Sequence, residues 1–129
     1  MILGVGIDLC AIDRMEENLK DGRFLNRFFS PDEQAYILSR GVFAASSAAA
    51  GFAAKEAFFK ALGTGIAGEL YEVSLLHREN GAPYITLTGW ARAAAQARDV
   101  SHVHVSLTHE MGLAAAFVVL EGGRECTAY

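Results

Sequence analysis

The first third of the chain combines one apolar segment with helical patterns. "MILGVGID" predicts a short buried strand that ends at Gly6 and Asp8. Ile12, Met15 and Leu19 then recur at helical spacing, and "FLNRFF" predicts a short turn of helix. The chain is therefore expected to begin with a strand that is followed by helices.

The next two helices carry boundary signals. "SPDEQAYILSR" has Ser30 as an N-cap, Pro31 at the first helical position and Glu33 three residues after the cap, which is a capping box. The alanine-rich segment 43–62 lacks proline and predicts the longest helix. Its apolar residues surround the helix, so it should be buried on most sides. Gly63 can end it in the left-handed conformation.

The second half of the chain favours strands. "YEVSLLH" and "PYITLTG" alternate apolar and polar residues around the turn signal of "RENGAP", and "WARAAAQAR" predicts a helix. "VHVSLTHE" and "LAAAFVVLE" predict two strands joined at Met111 and Gly112, and "GGRECTAY" is expected to be a frayed tail. The element order predicts an α+β fold, a small and mostly antiparallel sheet packed against the long helix, in a single domain over residues 1–129.

Composition narrows the class of protein. The 129 residues are 52% hydrophobic and 20% charged, which excludes disorder, and the net charge of −4 implies no general affinity for nucleic acid. Cys10 and Cys126 have neither a metal-ligand spacing nor the number that a disulfide scaffold needs. No apolar run is long enough to span a membrane, and Asp8 interrupts the N-terminal apolar stretch. A cytoplasmic protein is expected.

The basic residues are concentrated in the first half of the chain. Seven of the eleven Lys and Arg lie within residues 1–60, among them Arg14, Arg23, Arg27 and Arg40. They can form a solvated face neutralised by nearby acids, or a local patch that contacts an acidic partner. The pattern alone leaves both interpretations open.

The long helix carries two charges that require an explanation. Glu56 and Lys60 are four residues apart and therefore share a face of an otherwise apolar helix. An exposed ion pair of this kind contributes about 0.3–0.5 kcal/mol and is common. The alternative is a carboxylate and an ammonium directed into a cleft, where they bind a cation and an anion side by side.

Two other segments contain candidate chemistry. Asp8 either caps the following helix or supplies a carboxylate for a hard cation such as Mg²⁺, in which case Glu56 is a suitable second ligand. In "HVHVSLTHE", alternation places His102 and His104 on one face and His109 at the end of the apolar face. His102 and His104 can chelate a metal, although two exposed histidines are the simpler interpretation. "GVGID" lacks the third glycine and the lysine of a phosphate loop.

Three segments in this order resemble the holo-acyl-carrier-protein synthase family of phosphopantetheinyl transferases. "GVGIDLCAIDR" is similar to the N-terminal signature of the family, and "FAAKEAFFKALGTG" is similar to its central motif. "HVSLTHE" is similar to its final motif, with Thr108 where serine is more usual. The resemblance extends over nearly the whole chain.

The resemblance implies a homotrimer with active sites between neighbouring subunits. It also implies the transfer of 4′-phosphopantetheine from coenzyme A to a serine of an apo acyl carrier protein, with release of adenosine 3′,5′-bisphosphate. By position, Asp8 and Glu56 become Mg²⁺ ligands, and Lys60 lies near the pyrophosphate. His109 corresponds to a histidine near the 3′-phosphate of coenzyme A, and Arg14 to an arginine that meets the carrier protein.

The same resemblance suggests roles in catalysis. Glu56 accepts the proton of the serine, directly or through metal-bound water, and Lys60 stabilises or protonates the departing phosphate. Gly63 and Thr64 can contact the coenzyme through backbone amides, although helix capping explains the glycine as well.

One position departs from the family pattern. A basic residue often precedes "FAAKEA", whereas this chain has Gly51. The contact that this basic residue would make with phosphate or carrier protein is then either absent or supplied by another residue, with Arg40 and Lys55 as the candidates.

Two rival interpretations lead to different experiments. A non-catalytic module that holds coenzyme A or an acidic carrier needs the basic surface of Arg14, Arg23 and Arg27 but not Asp8 and Glu56. A purely structural role, in which Glu56 pairs with Lys60 and Asp8 is a cap, predicts a loss of stability on mutation instead of a loss of activity.

Overall fold

The computed structural model describes residues 1–123 and 129. Its strands are β1 (Ile2–Ala11), β2 (Val73–His77), β3 (Pro83–Leu87), β4 (Val100–Glu110) and β5 (Leu113–Gly122). Its helices are α1 (Ile12–Asn18), α2 (Gly22–Phe28), α3 (Pro31–Ser39), α4 (Ala44–Leu62) and α5 (Gly89–Ala97), with 3₁₀ turns at Gly41–Phe43 and Leu70–Glu72. The predicted tail falls mainly on residues 124–128 and Cys126 is among them, so both lie outside the described residues.

The described strands form two antiparallel sheets. One has three strands in the order β1-β5-β4, and the other is the β2-β3 hairpin. The predicted α+β class with antiparallel strands and a long helix is therefore confirmed, although the strands divide between two small sheets instead of forming one.

Helix α4 is the centre of the core. Its alanines and phenylalanines pack against the three-stranded sheet on one side and the hairpin on the other, as the apolar pattern around the helix predicts. Ala53, Ala57, Phe58 and Phe59 are completely buried. A second cluster, built around Met15 and the first turns of α4, anchors the short helices α1 to α3.

Strand β1 is longer than the sequence predicts. It continues past Asp8 to Ala11, and Ala11 occupies the N-cap position of α1 without a side-chain hydrogen bond. The expectation that Asp8 caps this helix is wrong, because β1 stays paired with β5 up to Leu113. The strand is also not buried on both faces, since Val5, Ile7 and Leu9 are 55%, 60% and 60% exposed.

The predicted boundaries of α3 and α4 are confirmed. Ser30 accepts a hydrogen bond from the Glu33 amide, and the Glu33 side chain accepts one from the Ser30 amide, which completes the capping box. Helix α4 ends at Gly63, whose φ of 79° is left-handed, and the Gly63 amide donates to the carbonyls of Phe59 and Lys60.

Both predicted hairpin turns are present. Asn80 and Gly81 lie in the turn between β2 and β3, where the Asn80 side chain accepts a hydrogen bond from the Ala82 amide. Met111 and Gly112 both have positive φ between the paired ends of β4 and β5, as a two-residue hairpin turn requires.

Candidate active site

The glycines of "GVGID" bring β1 unusually close to α4. A Cβ atom at Gly4 would lie 2.0 Å from the Ala61 carbonyl oxygen, and one at Gly6 would lie 2.0 Å from that of Ala57. Only glycine permits this approach. Because side chains alternate along a strand, Asp8 shares the inward direction of Gly4 and Gly6 and faces α4. The glycines therefore serve strand–helix packing, in agreement with the rejection of a phosphate loop.

The close approach joins Lys60 to Asp8. The Nζ atom of Lys60 donates to Oδ1 of Asp8 at 2.9 Å and to the carbonyl oxygen of Ile7 at 3.0 Å. Among the described residues, the carboxylate that forms an ion pair with Lys60 is that of Asp8 in β1. The structural hypothesis, in which Glu56 forms an ion pair with Lys60, is therefore wrong. The hydrogen bond to Asp8 raises the pKa of the Lys60 ammonium, which therefore stays charged at neutral pH.

Glu56 is the electrostatically unusual member of this group. Partial burial, followed by a side-chain hydrogen bond to Asp8 and the charge of that carboxylate, raises the pKa of Glu56 to about 7, although Lys60 opposes the shift. Two carboxyl groups within hydrogen-bonding distance cannot both ionise without a nearby positive charge. Asp8, Glu56 and Lys60 thus form one cluster that favours binding of a further cation and can exchange a proton near neutral pH.

A cavity of about 470 Å³ opens beside this cluster. Glu56 and Arg14 line it together with Cys10, Phe24 and Phe52, so that an acidic and a basic side chain share one cavity. Burial, followed by the charges of Glu56 and Asp8, raises the pKa of the Cys10 thiol. The sequence predicted Arg14 and Glu56 as site residues, and the structure brings them to one cavity.

His109 lies on a different part of the surface. It lines a second cavity, of about 310 Å³, with Arg40 and His77, and this lining includes none of Asp8, Glu56 and Lys60. The predicted site residues therefore fall into two groups within one subunit.

The other two histidines of β4 are not among the residues that line this second cavity. Nε2 of His104 lies 2.9 Å from Oε1 of Glu121, and the rings of His102 and His104 are stacked. In the part of the chain that the structure describes, no group of three or more His, Cys, Asp or Glu residues is arranged to hold a metal ion. Asp8 and Glu56 are a pair of oxygen donors, the number that Mg²⁺ typically takes from a protein.

Lys55 is not available for a ligand. Its side chain is completely buried, and Nζ lies 2.6 Å from Oε1 of Glu33, whose side chain is 2% exposed. The same Nζ donates to the carbonyl oxygens of Leu70 and Val73, so all three protons are used. The suggestion that Lys55 replaces the missing basic residue at Gly51 is therefore wrong.

The loop after α4 has ordinary capping geometry. Gly63 completes the helix end as described above, and the Thr64 hydroxyl donates to the Gly65 carbonyl at 2.8 Å. The Arg98 side chain donates to the carbonyl of Leu62, the last residue of α4, and to that of Leu3 in β1. Sequence reasoning did not identify Arg98, because its contacts are 36 and 95 residues distant along the chain.

Comparison with known proteins identifies the family. A sequence model of the 4′-phosphopantetheinyl transferase superfamily matches residues 4–118. The holo-[acyl-carrier-protein] synthase of Treponema denticola is 47% identical over 123 residues, which cover 95% of this chain and 100% of that protein. The chain therefore belongs to the 4′-phosphopantetheinyl transferase superfamily, within its holo-acyl-carrier-protein synthase family.

Solved structures extend the similarity to the fold. The Neisseria meningitidis holo-[acyl-carrier-protein] synthase superposes with a TM-score of 0.83 at 34% identity, over 94% of this chain and 99% of that one. The Helicobacter pylori enzyme, in complex with coenzyme A, gives 0.78 at 32% identity over 91% and 99% of the two chains. The resemblance seen in the three motifs is confirmed, and the protein is a transferase. No helix among the described residues is long and apolar enough to cross a membrane.

Proposed function

We propose that this protein transfers the 4′-phosphopantetheine group of coenzyme A to a serine of an apo acyl carrier protein and releases adenosine 3′,5′-bisphosphate. The observation that carries the proposal is the meeting of Asp8, Glu56 and Lys60 where β1 crosses α4, beside a cavity that Arg14 also lines. The names of the relatives, holo-[acyl-carrier-protein] synthases, support the same reaction.

Glu56 and Lys60 have different roles in the proposed reaction. The serine oxygen forms a bond to the β-phosphorus of the pyrophosphate, and the bond from that phosphorus to the bridging oxygen breaks. Glu56 accepts the serine proton, directly or through metal-bound water, because a carboxylate positioned beside the reacting hydroxyl can act as a general base. Lys60 remains protonated and stabilises the charge that develops on the departing phosphate.

Mg²⁺ is the cation that we propose for Asp8 and Glu56. Both supply carboxylate oxygens, and a divalent ion would offset the burial of Glu56 and the charge of the neighbouring Asp8, which together raise the pKa of Glu56. When bound, such an ion acts as a Lewis acid on the pyrophosphate oxygens. Asp8 is held for this role by its hydrogen bond to Lys60.

The carrier protein is proposed to dock near α1. Arg14 stands at the cavity that contains Glu56, whereas Arg23 is occupied by Asp21, whose carboxylate lies 2.8 Å away. Arg14 is thus better placed than Arg23 to meet an acidic partner close to the reacting serine.

A homotrimer with shared active sites completes the proposal. Val5, Ile7, Leu9 and Phe117 expose apolar side chains on the outer face of the three-stranded sheet, and a second copy of the chain would cover them. The separation of His109 from Asp8, Glu56 and Lys60 within one subunit also favours a site completed by a neighbour. The cytoplasmic location and the single domain over residues 1–129 stay predictions.

Intact-protein mass spectrometry of an apo acyl carrier protein tests the reaction. The carrier is incubated with this protein, coenzyme A and Mg²⁺, and parallel samples contain EDTA or the Glu56→Gln variant. The expected result is the gain of one phosphopantetheine in the complete mixture alone. A panel of several carriers that all keep their apo mass would contradict the proposal and favour the non-catalytic binding module.

A further inference from the structure

Lys55 and Glu33 form an ion pair in the core that the proposed reaction does not use. Their side chains are 0% and 2% exposed, and Nζ of Lys55 lies 2.6 Å from Oε1 of Glu33. Replacement of such a buried pair by uncharged side chains of similar volume often leaves stability unchanged or increases it. The pair is therefore weak evidence for a role in stability. The best-attested use of a buried polar contact is to select one packing arrangement.

The ammonium of Lys55 is held by three separate segments of the chain. Nζ donates to the carbonyl oxygens of Leu70 at 3.2 Å and Val73 at 2.5 Å, in addition to the carboxylate of Glu33. Glu33 is itself fixed, because its Oε2 atom accepts a hydrogen bond from the Leu75 amide at 3.0 Å. One side chain thus joins α4 to α3, to the second 3₁₀ turn and to β2.

The small side chains of α4 constrain its rotation only weakly. Seven of its eleven buried residues are alanine or glycine, namely Ala48, Ala49, Gly51, Ala53, Ala54, Ala57 and Ala61. Over much of the helix, a rotation about the axis would exchange one small side chain for another, with little change in packed volume. A buried ammonium does not tolerate such a rotation, because it would lose its acceptors. Lys55 therefore supplies a constraint that the alanines do not.

Glu56 follows Lys55 directly and has different neighbours. Successive residues of an α-helix are separated by about 100° around its axis. Lys55 contacts α3 and β2, whereas Glu56 is hydrogen-bonded to Asp8 of β1 and lines the cavity that contains Arg14. A rotation of α4 moves both residues through the same angle. The anchor at Lys55 consequently also fixes the direction of Glu56.

We infer that Lys55 is a positioning residue, whose three hydrogen bonds fix the rotation of α4 and thereby direct Glu56 towards Asp8. The inference rests on the proposed function, in which Glu56 accepts the serine proton. Lys55 is completely buried and therefore acts through its neighbour. A misplacement of about 1 Å can lower a rate about 100-fold, so loss of the anchor should affect the chemical step more than substrate binding.

A double variant tests this role by removing both charges at once, since removal of one partner would leave an unpaired buried charge. Glu33→Gln/Lys55→Met nearly preserves the side-chain volumes, and its melting temperature should stay within about 5 °C of that of the wild type. In carrier modification, kcat should fall about tenfold or more, while KM for coenzyme A changes less than about threefold. A folded double variant with the kcat of the wild type would overturn the inference.

Phe58→Leu is the matched control on the same helix. Phe58 is completely buried and belongs to the main hydrophobic cluster. Its replacement leaves a cavity, so the melting temperature should fall. Lys55 keeps its three acceptors, however, and kcat measured below the transition should stay within about twofold of the wild type. Equal losses of kcat in the two variants would show that the rate follows core packing in general, against a specific role of Lys55.

Lys55→Arg decides the question if the double variant does not fold. It retains a buried cation beside Glu33, but a planar guanidinium cannot direct its N–H groups as the ammonium does. The expected result is a lower kcat with a nearly unchanged KM for coenzyme A. A kcat equal to that of the wild type would contradict the positioning role. If neither variant folds, the pair is required for stability and the inference is likewise overturned.

Crystal structures separate this inference from the proposed reaction. Structures of the wild type, the double variant and Phe58→Leu are superposed on β1, and the position of Glu56 is compared without carrier protein or coenzyme. The double variant should displace the Glu56 carboxylate from Asp8 by about 1 Å or more, and Phe58→Leu should not. If the wild type modifies no carrier yet this displacement occurs, the proposed function fails and the role of Lys55 stands. If carriers are modified and Glu56 stays in place in the double variant, only the inference fails.

Discussion

The ammonium group of Lys60 lies 2.9 Å from the carboxylate of Asp8, a residue 52 positions earlier in the chain. This ion pair connects α4 to β1, and in the part of the chain that the structure describes no lysine forms an ion pair with the neighbouring Glu56. Burial, followed by the hydrogen bond to Asp8 and the charge of that carboxylate, raises the pKa of Glu56 to about 7.

Removal of either carboxylate should abolish most turnover without unfolding the protein. Glu56→Gln eliminates the proton acceptor, and kcat should fall at least about 100-fold, in the range that general-base catalysis supplies. Asp8→Asn should have a comparable effect, because it also removes the partner of Lys60. Rates are followed by carrier modification, and circular dichroism confirms the fold. Near-normal turnover in both variants would contradict the assignment of the metal and the base.

Replacement of Lys60 should affect the chemical step. Lys60→Ala removes the charge that stabilises the departing phosphate, so kcat should fall about 10–100-fold with a smaller change in coenzyme binding. Lys60→Arg retains a cation and should recover part of the rate. Single-turnover measurements distinguish the two parameters, and a defect limited to KM would argue against a role at the leaving group.

The stability of the metal-free protein should fall as the pH rises through the titration of Glu56. Its pKa is 4.5 in an unfolded chain and about 7 in the fold, so between these values the folded state binds more protons than the unfolded state. The free energy of unfolding therefore decreases from about pH 5 to about pH 7.5. Thermal melts in EDTA should show this decrease, and Glu56→Gln should flatten it. A steeper decrease in the variant is the result that would exclude Glu56 as the titrating group.

The contact between β1 and α4 should not tolerate a single methyl group at Gly6. Because a Cβ atom there would lie 2.0 Å from the Ala57 carbonyl oxygen, Gly6→Ala should reduce stability by about 2 kcal/mol or more. Gly22→Ala is the matched control, since a Cβ atom at Gly22 has nothing within 4 Å, and we expect a change within about 0.5 kcal/mol. Urea denaturation measures both values, and equal stabilities would show that the strand can shift away from the helix.

A charge on the outer face of the sheet should prevent assembly. Ile7 is 60% exposed in the isolated chain and is central to the apolar face that we assign to the trimer. Ile7→Glu should give a monomer by sedimentation or light scattering and should lose activity, because His109 of a neighbour is then absent. Leu38→Glu, at an equally exposed position of α3, serves as the control and should remain assembled. A wild type that is monomeric at working concentrations would refute the trimer.

The sequence predicted much of this site because its signals are local or belong to a motif. The capping box of Ser30 and Glu33, the helix end at Gly63 and the turn at Met111 all depend on neighbouring residues, and all are present. Asp8, Glu56 and Lys60 were identified through spacing within short segments. The pairing of Lys60 with Asp8 was not predicted, because the rule for residues four apart considers one helix and ignores a strand that packs on it.

The features that the sequence did not reveal are produced by tertiary packing. The sequence offers Lys55 as a candidate for phosphate binding, yet it is buried against Glu33, 22 residues away, and no local pattern marks such a pair. The cavity of Arg40, His77 and His109 gathers residues from α3, β2 and β4. Strand β1 exceeds its predicted length because pairing with β5 continues past the polar Asp8.

The spacing between the acids and the lysine is set by the main chain. At Gly4 and Gly6, β1 touches the carbonyl oxygens of Ala61 and Ala57, with no side chain between the two elements. The separation of Asp8 from α4 is consequently independent of which apolar residues fill the core elsewhere. Exchanges of Phe for Leu, or of Val for Ile, elsewhere in the interior are therefore expected to leave this separation unchanged. The position of Asp8 against α4 thus depends on two glycines and the backbone, not on the shapes of the core side chains.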